Sequence, residues 1–135
     1  IFIYAKKTEF VGKTILDSEK FYIGKNGKLT KVSLVEKEYN LPLVFGNFQV
    51  QEFLEIQEIL NKNGFNLDEI KNYYYYKSNR WDIENNNNVI LMLPSQDIEK
   101  ALSNYRYLLR TNEVIEKNLI DLRIENKIIL TDAKR

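Results

Sequence analysis

The sequence contains no cysteine and no histidine. That absence removes thiol nucleophiles, Ser-His and Cys-His catalytic pairs, and Cys/His zinc sites. A chain without cysteine also tolerates any redox compartment, so cysteine usage says nothing about location. No run of about 18 apolar residues occurs, so no segment reads as a membrane-spanning helix. Neither sign of charge dominates: 20 basic and 19 acidic residues leave a formal charge of +1. A dedicated nucleic-acid binder usually carries a basic face that neutralises phosphates, and this balance argues against one. Flexible linkers and internal repeats are missing too.

What is present suits a single domain. The chain has 135 residues, of which 44% are hydrophobic and 29% charged. That length should bury roughly two-thirds of the unfolded surface, enough for one core. The sequence starts at Ile1, not Met, and is strand-like at once in Ile1-Phe-Ile-Tyr4. It therefore reads as a fragment, whose missing N-terminal part could have carried a signal or an anchor.

The hydrophobic pattern predicts an α+β fold. Residues 8–20 are polar and ambiguous. Phe21–Ile23 and Lys28–Val32 flank Asn26-Gly27, a strong hairpin turn because both positions tolerate positive φ. Leu41–Phe45 is a short apolar run closed by Gly46, after which Asn47 offers a helix N-cap. Val50, Phe53, Leu54, Ile56, Ile59 and Leu60 then form one helical face, which should end at Asn63-Gly64. Glu69–Tyr76, Trp81–Ile83 and Val89–Leu93 read as strands, the last two antiparallel around the turn Asn85–Asn88. Pro94 ends a strand and Ser95 offers to cap a second helix. Ile98, Ala101, Leu102, Tyr105, Leu108 and Leu109 recur in that helix at spacings of three and four, and Asn112 should end it. Leu119–Ile124 alternates apolar with charged residues, Glu125-Asn126 can turn, and Lys127–Thr131 returns as a final strand. The expected architecture is a mostly antiparallel bent sheet with two amphipathic helices, ending in a C-terminal β-hairpin.

Three features invite a functional reading. Asp82 and Asp121 lie on predicted strands, and a metal-dependent nuclease can be built from such carboxylates plus a lysine. Solvated or capping carboxylates are the plainer explanation. The run Tyr73–Tyr76, with Trp81 nearby, suggests a stacking platform for the bases of single-stranded nucleic acid or for sugars. On a strand, however, alternate residues face opposite sides, so at most two of the four share a surface. The terminal hairpin is the third feature. A last strand has one hairpin neighbour, and its other edge is open unless something covers it. Open edges present backbone groups with which another chain can pair. Ile128-Ile-Leu130 contains no Pro, bulge or inward charge to protect it.

The order of these segments resembles the C-terminal periplasmic domain of the FtsQ/DivIB family of bacterial cell-division proteins. Four pieces carry the likeness. They are Phe21-Tyr-Ile-Gly-Lys-Asn-Gly-Lys28, Arg80-Trp-Asp-Ile83 with Val89-Ile-Leu-Met-Leu-Pro94, the helix Ile98–Leu109, and Ile120-Asp-Leu-Arg123. The last resembles the family's Val/Ile-Asp-Leu-Arg motif. Ile124 stands where the family has an aromatic residue, and Glu125-Asn126-Lys127 lacks the family's turn glycine. The resemblance implies a non-enzymatic assembly hub of the divisome, with no cofactor. It implies an anchor in the inner membrane by a helix outside this chain and a position on the periplasmic side at the division septum. On that likeness residues 1–5 are the junction with a POTRA domain. The implied partners are FtsB and FtsL, one of which adds a strand to the last strand of the sheet. Carried over, the partner-binding residues are Lys127, Ile128, Ile129, Leu130 and Thr131, with Leu122, Ile124 and Asn126 beside them. Arg80 matches a further partner-binding arginine, although Asn79 is an alternative alignment. A proline at Ile129 is expected to block binding. Whether Ile128 and Leu130 or Lys127, Ile129 and Thr131 face inward is open at this level.

Overall fold

A computed structural model describes residues 9–111, 117–125 and 127–132. The expected strand Ile1–Tyr4, the junction at residues 1–5, the helix stop at Asn112 and the turn residue Asn126 all lie outside the described residues. Nine strands and two α-helices are described: β1 Phe10–Leu16, β2 Glu19–Gly24, β3 Leu29–Lys31, β4 Leu43–Phe45, α1 Val50–Lys62, β5 Ile70–Tyr76, β6 Arg80–Asn85, β7 Ile90–Met92, α2 Ile98–Leu109, β8 Leu119–Asp121 and β9 Ile129–Thr131. All nine strands join one sheet in the order β3-β2-β1-β4-β5-β6-β7-β8-β9. The pairs β1–β4, β4–β5 and β7–β8 are parallel and the others antiparallel. The fold is thus α+β, with a mixed but mostly antiparallel sheet ending in a β8–β9 hairpin.

Register explains the layering. Val44, Tyr73, Ile83, Leu91, Ile120 and Leu130 are successive neighbours across β4 to β9. Because facing residues share a side of the sheet, this row forms a continuous apolar floor. Phe53, Ile56 and Leu60 of α1 and Leu102 and Tyr105 of α2 pack into the same core. The next row, Phe45, Tyr74, Asp82, Met92, Asp121 and Ile129, lies on the opposite, helix-free face. Gly12 of β1 has no side chain where α1 comes closest. A Cβ there would stand 2.9 Å from the Phe53 ring.

Local differences from the sequence reading have local causes. The ambiguous stretch 8–20 contains β1 and its turn into β2. Asp17 and Ser18 both adopt positive φ, 49° and 66°, which a two-residue hairpin turn requires. Helix α1 is capped by Gln49, not Asn47. The Gln49 N–H donates to Glu52 Oε1 at 2.9 Å, half of a capping box. Helix α2 begins after Asp97, not Ser95. Asp97 sits in the left-handed region at φ 55° and its carbonyl accepts the first helical bond, from Ala101 N–H at 3.2 Å.

Candidate functional site

The candidate site is built on β8 and β9, and the motif Ile120-Asp-Leu-Arg123 shapes it. Ile120 is 1% exposed and locks β8 onto the core. The Asp121 carboxylate points to the helix-free face and accepts three bonds from Arg123. Arg123 Nε donates to Oδ1 at 2.9 Å, Nη2 to Oδ2 at 2.7 Å, and the backbone N–H to Oδ1 at 3.0 Å. The forked guanidinium holds the Asp121 carboxyl below its usual range, and Asp121 in turn raises the Arg123 guanidinium. Between them Leu122 is buried, and its N–H donates to Met92 O at 2.9 Å. The chain leaves the strand at this clamp. Thus β8 stops at Asp121, and β9 opens at Ile129, two residues later than the sequence suggests.

The phase of the hairpin follows from hydrogen bonds further in. Ile90 N–H donates to Asn118 O and Leu122 N–H to Met92 O, both at 2.9 Å. The even-numbered residues of β8 therefore bond β7. Its odd-numbered residues, Leu119 and Asp121, bond β9, where they face Thr131 and Ile129. By alternation, the backbone groups of Ile128 and Leu130 point away from the sheet. Among the described residues β8 is the only strand paired with β9. The open question of faces is also answered. Ile128 and Leu130 pack against the core, while Lys127, Ile129 and Thr131 are on the exposed side. Ile129 is 36% exposed and Ile124, in the connecting loop, 50%. Lys117 Nζ reaches Asp132 Oδ2 at 3.1 Å and ties the open ends of the hairpin.

The expected site residues Leu122, Ile124, Lys127, Ile128, Ile129, Leu130 and Thr131 are brought together by this hairpin. Arg80 is not beside them. It stands on β6, three strands in from β9, roughly 14 Å away at ordinary strand spacing. Its guanidinium pairs with Asp82, donates to Leu93 O at 3.4 Å and lies 4.7 Å from the Tyr76 ring centroid. With its side chain 13% exposed, it is largely spoken for. Asn79, the alternative, occupies the preceding turn at φ 57° and receives the Tyr75 hydroxyl at 2.7 Å. Arg80 and the hairpin do share the helix-free face.

Sequence spacing missed one association. Asp82, Met92 and Asp121 are neighbours in one cross-strand row, although no sequence interval links them. The two carboxylates stand two strands apart, about 10 Å, and each has its own arginine. Among the described residues no three potential ligands gather to hold a metal ion. The Tyr73–Tyr76 run alternates as its strand requires. Tyr73 is buried, and that burial pushes its hydroxyl up to about 12. Tyr75 packs on Trp81 at 4.8 Å. Tyr74 and Tyr76 share the helix-free face, Tyr74 stacked on Phe45 at 5.3 Å.

A family model described as cell division protein FtsQ/DivIB, C-terminal, matches residues 15–123. The chain belongs to that family. The FtsQ/DivIB match runs from the end of β1 through the Asp-Leu-Arg clamp and stops before β9. Cell division protein FtsQ of Rhizobium meliloti (strain 1021) is 30% identical over 60 residues, 43% of this chain and 19% of that protein. The chain therefore matches only a small part of that FtsQ. The solved major extracytoplasmic domain of the trans isomer of DivIB from Geobacillus stearothermophilus has a TM-score of 0.50 at 14% identity. It covers 77% of this chain and 92% of its own. At that identity it supports the FtsQ/DivIB fold alone. No helix among the described residues is long and apolar enough to cross a membrane.

Proposed function

We propose that this domain is a non-catalytic binding module of the bacterial divisome, which takes a strand of an FtsB/FtsL-type partner onto the outer side of β9. The observation that carries this reading is the phase of the hairpin. Ile128 and Leu130 turn their backbone groups outward, and no described strand meets them. A partner strand gains about four backbone bonds there, each worth about 0.5–1.5 kcal/mol net. Side chains beside the ladder then supply specificity, because alternate partner residues face the helix side and the helix-free side. Family membership supports the divisome assignment, and the likeness to an extracytoplasmic domain of DivIB is in keeping with a position on the periplasmic side of the inner membrane.

The rival readings gain no support from the geometry. Asp82 and Asp121 are each engaged by an arginine, which disfavours metal-dependent hydrolysis. Two of the four tyrosines face inward, so a continuous base-stacking platform for single-stranded nucleic acid has little to rest on.

The decisive experiment is calorimetric titration of a soluble FtsB/FtsL segment against proline variants. The phase of β9 changes which proline is informative. Ile129 N–H faces β8, so Ile129→Pro breaks the hairpin itself and should lower thermal stability. Leu130→Pro removes an outward donor and puts a ring on the edge while sparing the β8 ladder. Binding should be lost with Leu130→Pro but kept with Leu130→Ala, the control that loses the same core packing without losing the outward N–H. Undiminished affinity in a folded Leu130→Pro variant ends the edge reading.

A further inference from the structure

A cleft of about 330 Å³ opens between the last turns of α2, the segment joining α1 to β5, and the sheet. Its floor is apolar. Ile70, Ile83 and Leu91 reach it from β5, β6 and β7, and all three are buried. Phe65 and Tyr105 line it as well, their rings stacked with centroids 6.2 Å apart. An engineered apolar cavity of about 150 Å³ holds one benzene, so this space suits a two-ring body. It also reaches the size, about 300 Å³, at which small-molecule sites begin.

The polar groups of the lining divide into two kinds. The two amides are engaged locally. Asn66 Oδ1 accepts the Asp68 N–H at 3.0 Å, and Asn85 Oδ1 accepts those of Asn87 and Val89 at 2.9 and 3.0 Å. The two charges are not engaged. Neither the Arg106 guanidinium nor the Glu69 carboxylate bonds a described residue, and they do not pair with each other. Arg106 is held without such bonds. A Cβ at Gly64 would have Cζ, Nη1 and Nη2 of Arg106 as its nearest neighbours, at 3.1, 3.2 and 3.3 Å. The cation thus rests on the C-terminal end of α1, where positive charge is favoured, and its N–H donors stay available.

We infer that this cleft binds a free aromatic amino acid, with its ring on the apolar floor, its carboxylate toward Arg106 and its ammonium toward Glu69. The inference is independent of the β9 edge. Charge selects the ligand: a lone carboxylate gains from Arg106 and loses from Glu69, an amine does the reverse, and a zwitterion gains from both. Most of the affinity comes from the ring leaving water, because exposed charges contribute less.

The test is an NMR titration of the isotope-labelled chain with L-tryptophan. Millimolar tryptophan should shift the amides of Gly64, Phe65, Val89 and Leu91 in a saturable way. Tryptamine lacks the carboxylate and indole-3-propionate lacks the ammonium; each should bind at least about threefold more weakly. L-Alanine, with both charges and no ring, should not bind. Glu69, Arg106 and Leu109 are exposed, so variants at these positions should keep the fold. In Arg106→Gln, tryptophan and tryptamine should bind alike; in Glu69→Gln, tryptophan and indole-3-propionate should. Leu109→Trp narrows the cleft from the helix wall and should weaken tryptophan by at least about tenfold. Absence of saturable shifts at the cleft overturns the site, as does tryptophan binding that Leu109→Trp leaves unchanged. Alanine binding as tightly as tryptophan overturns the role of the floor. Tryptophan binding no tighter than both analogues, or keeping its advantage in both glutamine variants, overturns the role of the charges.

Discussion

The two edges of the sheet are unlike. At one end β3, Leu29–Lys31, is flanked by Lys28 and carries Lys31, which pairs with Glu19 at 3.5 Å. A short strand bearing lysine is a common way to discourage edge-to-edge pairing. At the other end β9, Ile129–Thr131, is equally short but has no charge within it. Both edges turn two residues outward. Gly24 N–H donates to Lys28 O at 2.8 Å, so Lys28 and Thr30 bond β2, and Leu29 and Lys31 face away. The difference teaches that the backbone alone does not make a docking edge. The β3 edge carries a lysine within the strand, whereas the charges at the β9 edge, Lys127 and Asp132, stand outside Ile129–Thr131.

The contrast can be broken from the inside first. Ile120→Ala empties a fully buried position beneath β9 and should cost about 2–5 kcal/mol of stability, measured by urea denaturation. Leu29→Ala, at an exposed site beside the other edge, should change stability by less than about 0.5 kcal/mol. Next comes a matched pair of prolines. Leu130→Pro should weaken the FtsB/FtsL segment by at least about tenfold, near 1.4 kcal/mol, whereas Leu29→Pro should leave that affinity unchanged. A similar loss from Leu29→Pro would show that the edges do not differ in function. A milder change makes β9 resemble β3. Ile129→Lys puts a cation on the outward face and should reduce affinity a few-fold without moving the melting temperature, read by calorimetry and circular dichroism.

The smallest effect concerns acid. Asp121 is held below its usual carboxylate range by Arg123. The folded state therefore binds that proton less readily than the unfolded chain. Its contribution is complete above the ordinary carboxylate range and fades as pH falls through the depressed value. In Asp121→Asn the acid limb of the stability–pH curve should be shallower than in the unmodified domain, and identical limbs would remove this pair from the account.

Much of this was legible in the sequence because its signals are local. The periodicity of Ile98–Leu109 marked α2, Asn26-Gly27 marked the β2–β3 turn, and Gly64, at φ 83°, stopped α1. The β1–β2 hairpin was not legible, since Asp17-Ser18 is an uncommon pair for two successive positive-φ positions. Helix starts slipped by a residue or two for a related reason. Asn47 and Ser95 are better caps in isolation than Gln49 and Asp97, but the turn at Gly46 and the exit from β7 decide where helical geometry can begin. At the site, the alternation in Leu119–Ile124 identified the hairpin and the Asp-Leu-Arg motif located it. The phase of β9 was not legible, because it is inherited through β7 and β8 from pairings distant in sequence. The Asp82–Asp121 row was hidden likewise, since a hairpin and the α2 crossover bring those strands near. Arg80 read as a site residue by likeness alone. Its distance from the hairpin is a property of strand order.

The terminal strand is held by three residue pairs to β8 and among described strands by nothing else. Such a segment belongs to the part of a fold that opens most readily by itself. A partner bonded to Leu130 would turn it from a margin into an interior strand, so docking and completion of the sheet become one event. The trace would be found at Ile129 and Thr131, whose amides face β8 and never meet the partner. Their exchange with deuterium should nonetheless slow when the partner binds. Recognition at the rim would thus be recorded one hydrogen bond further in.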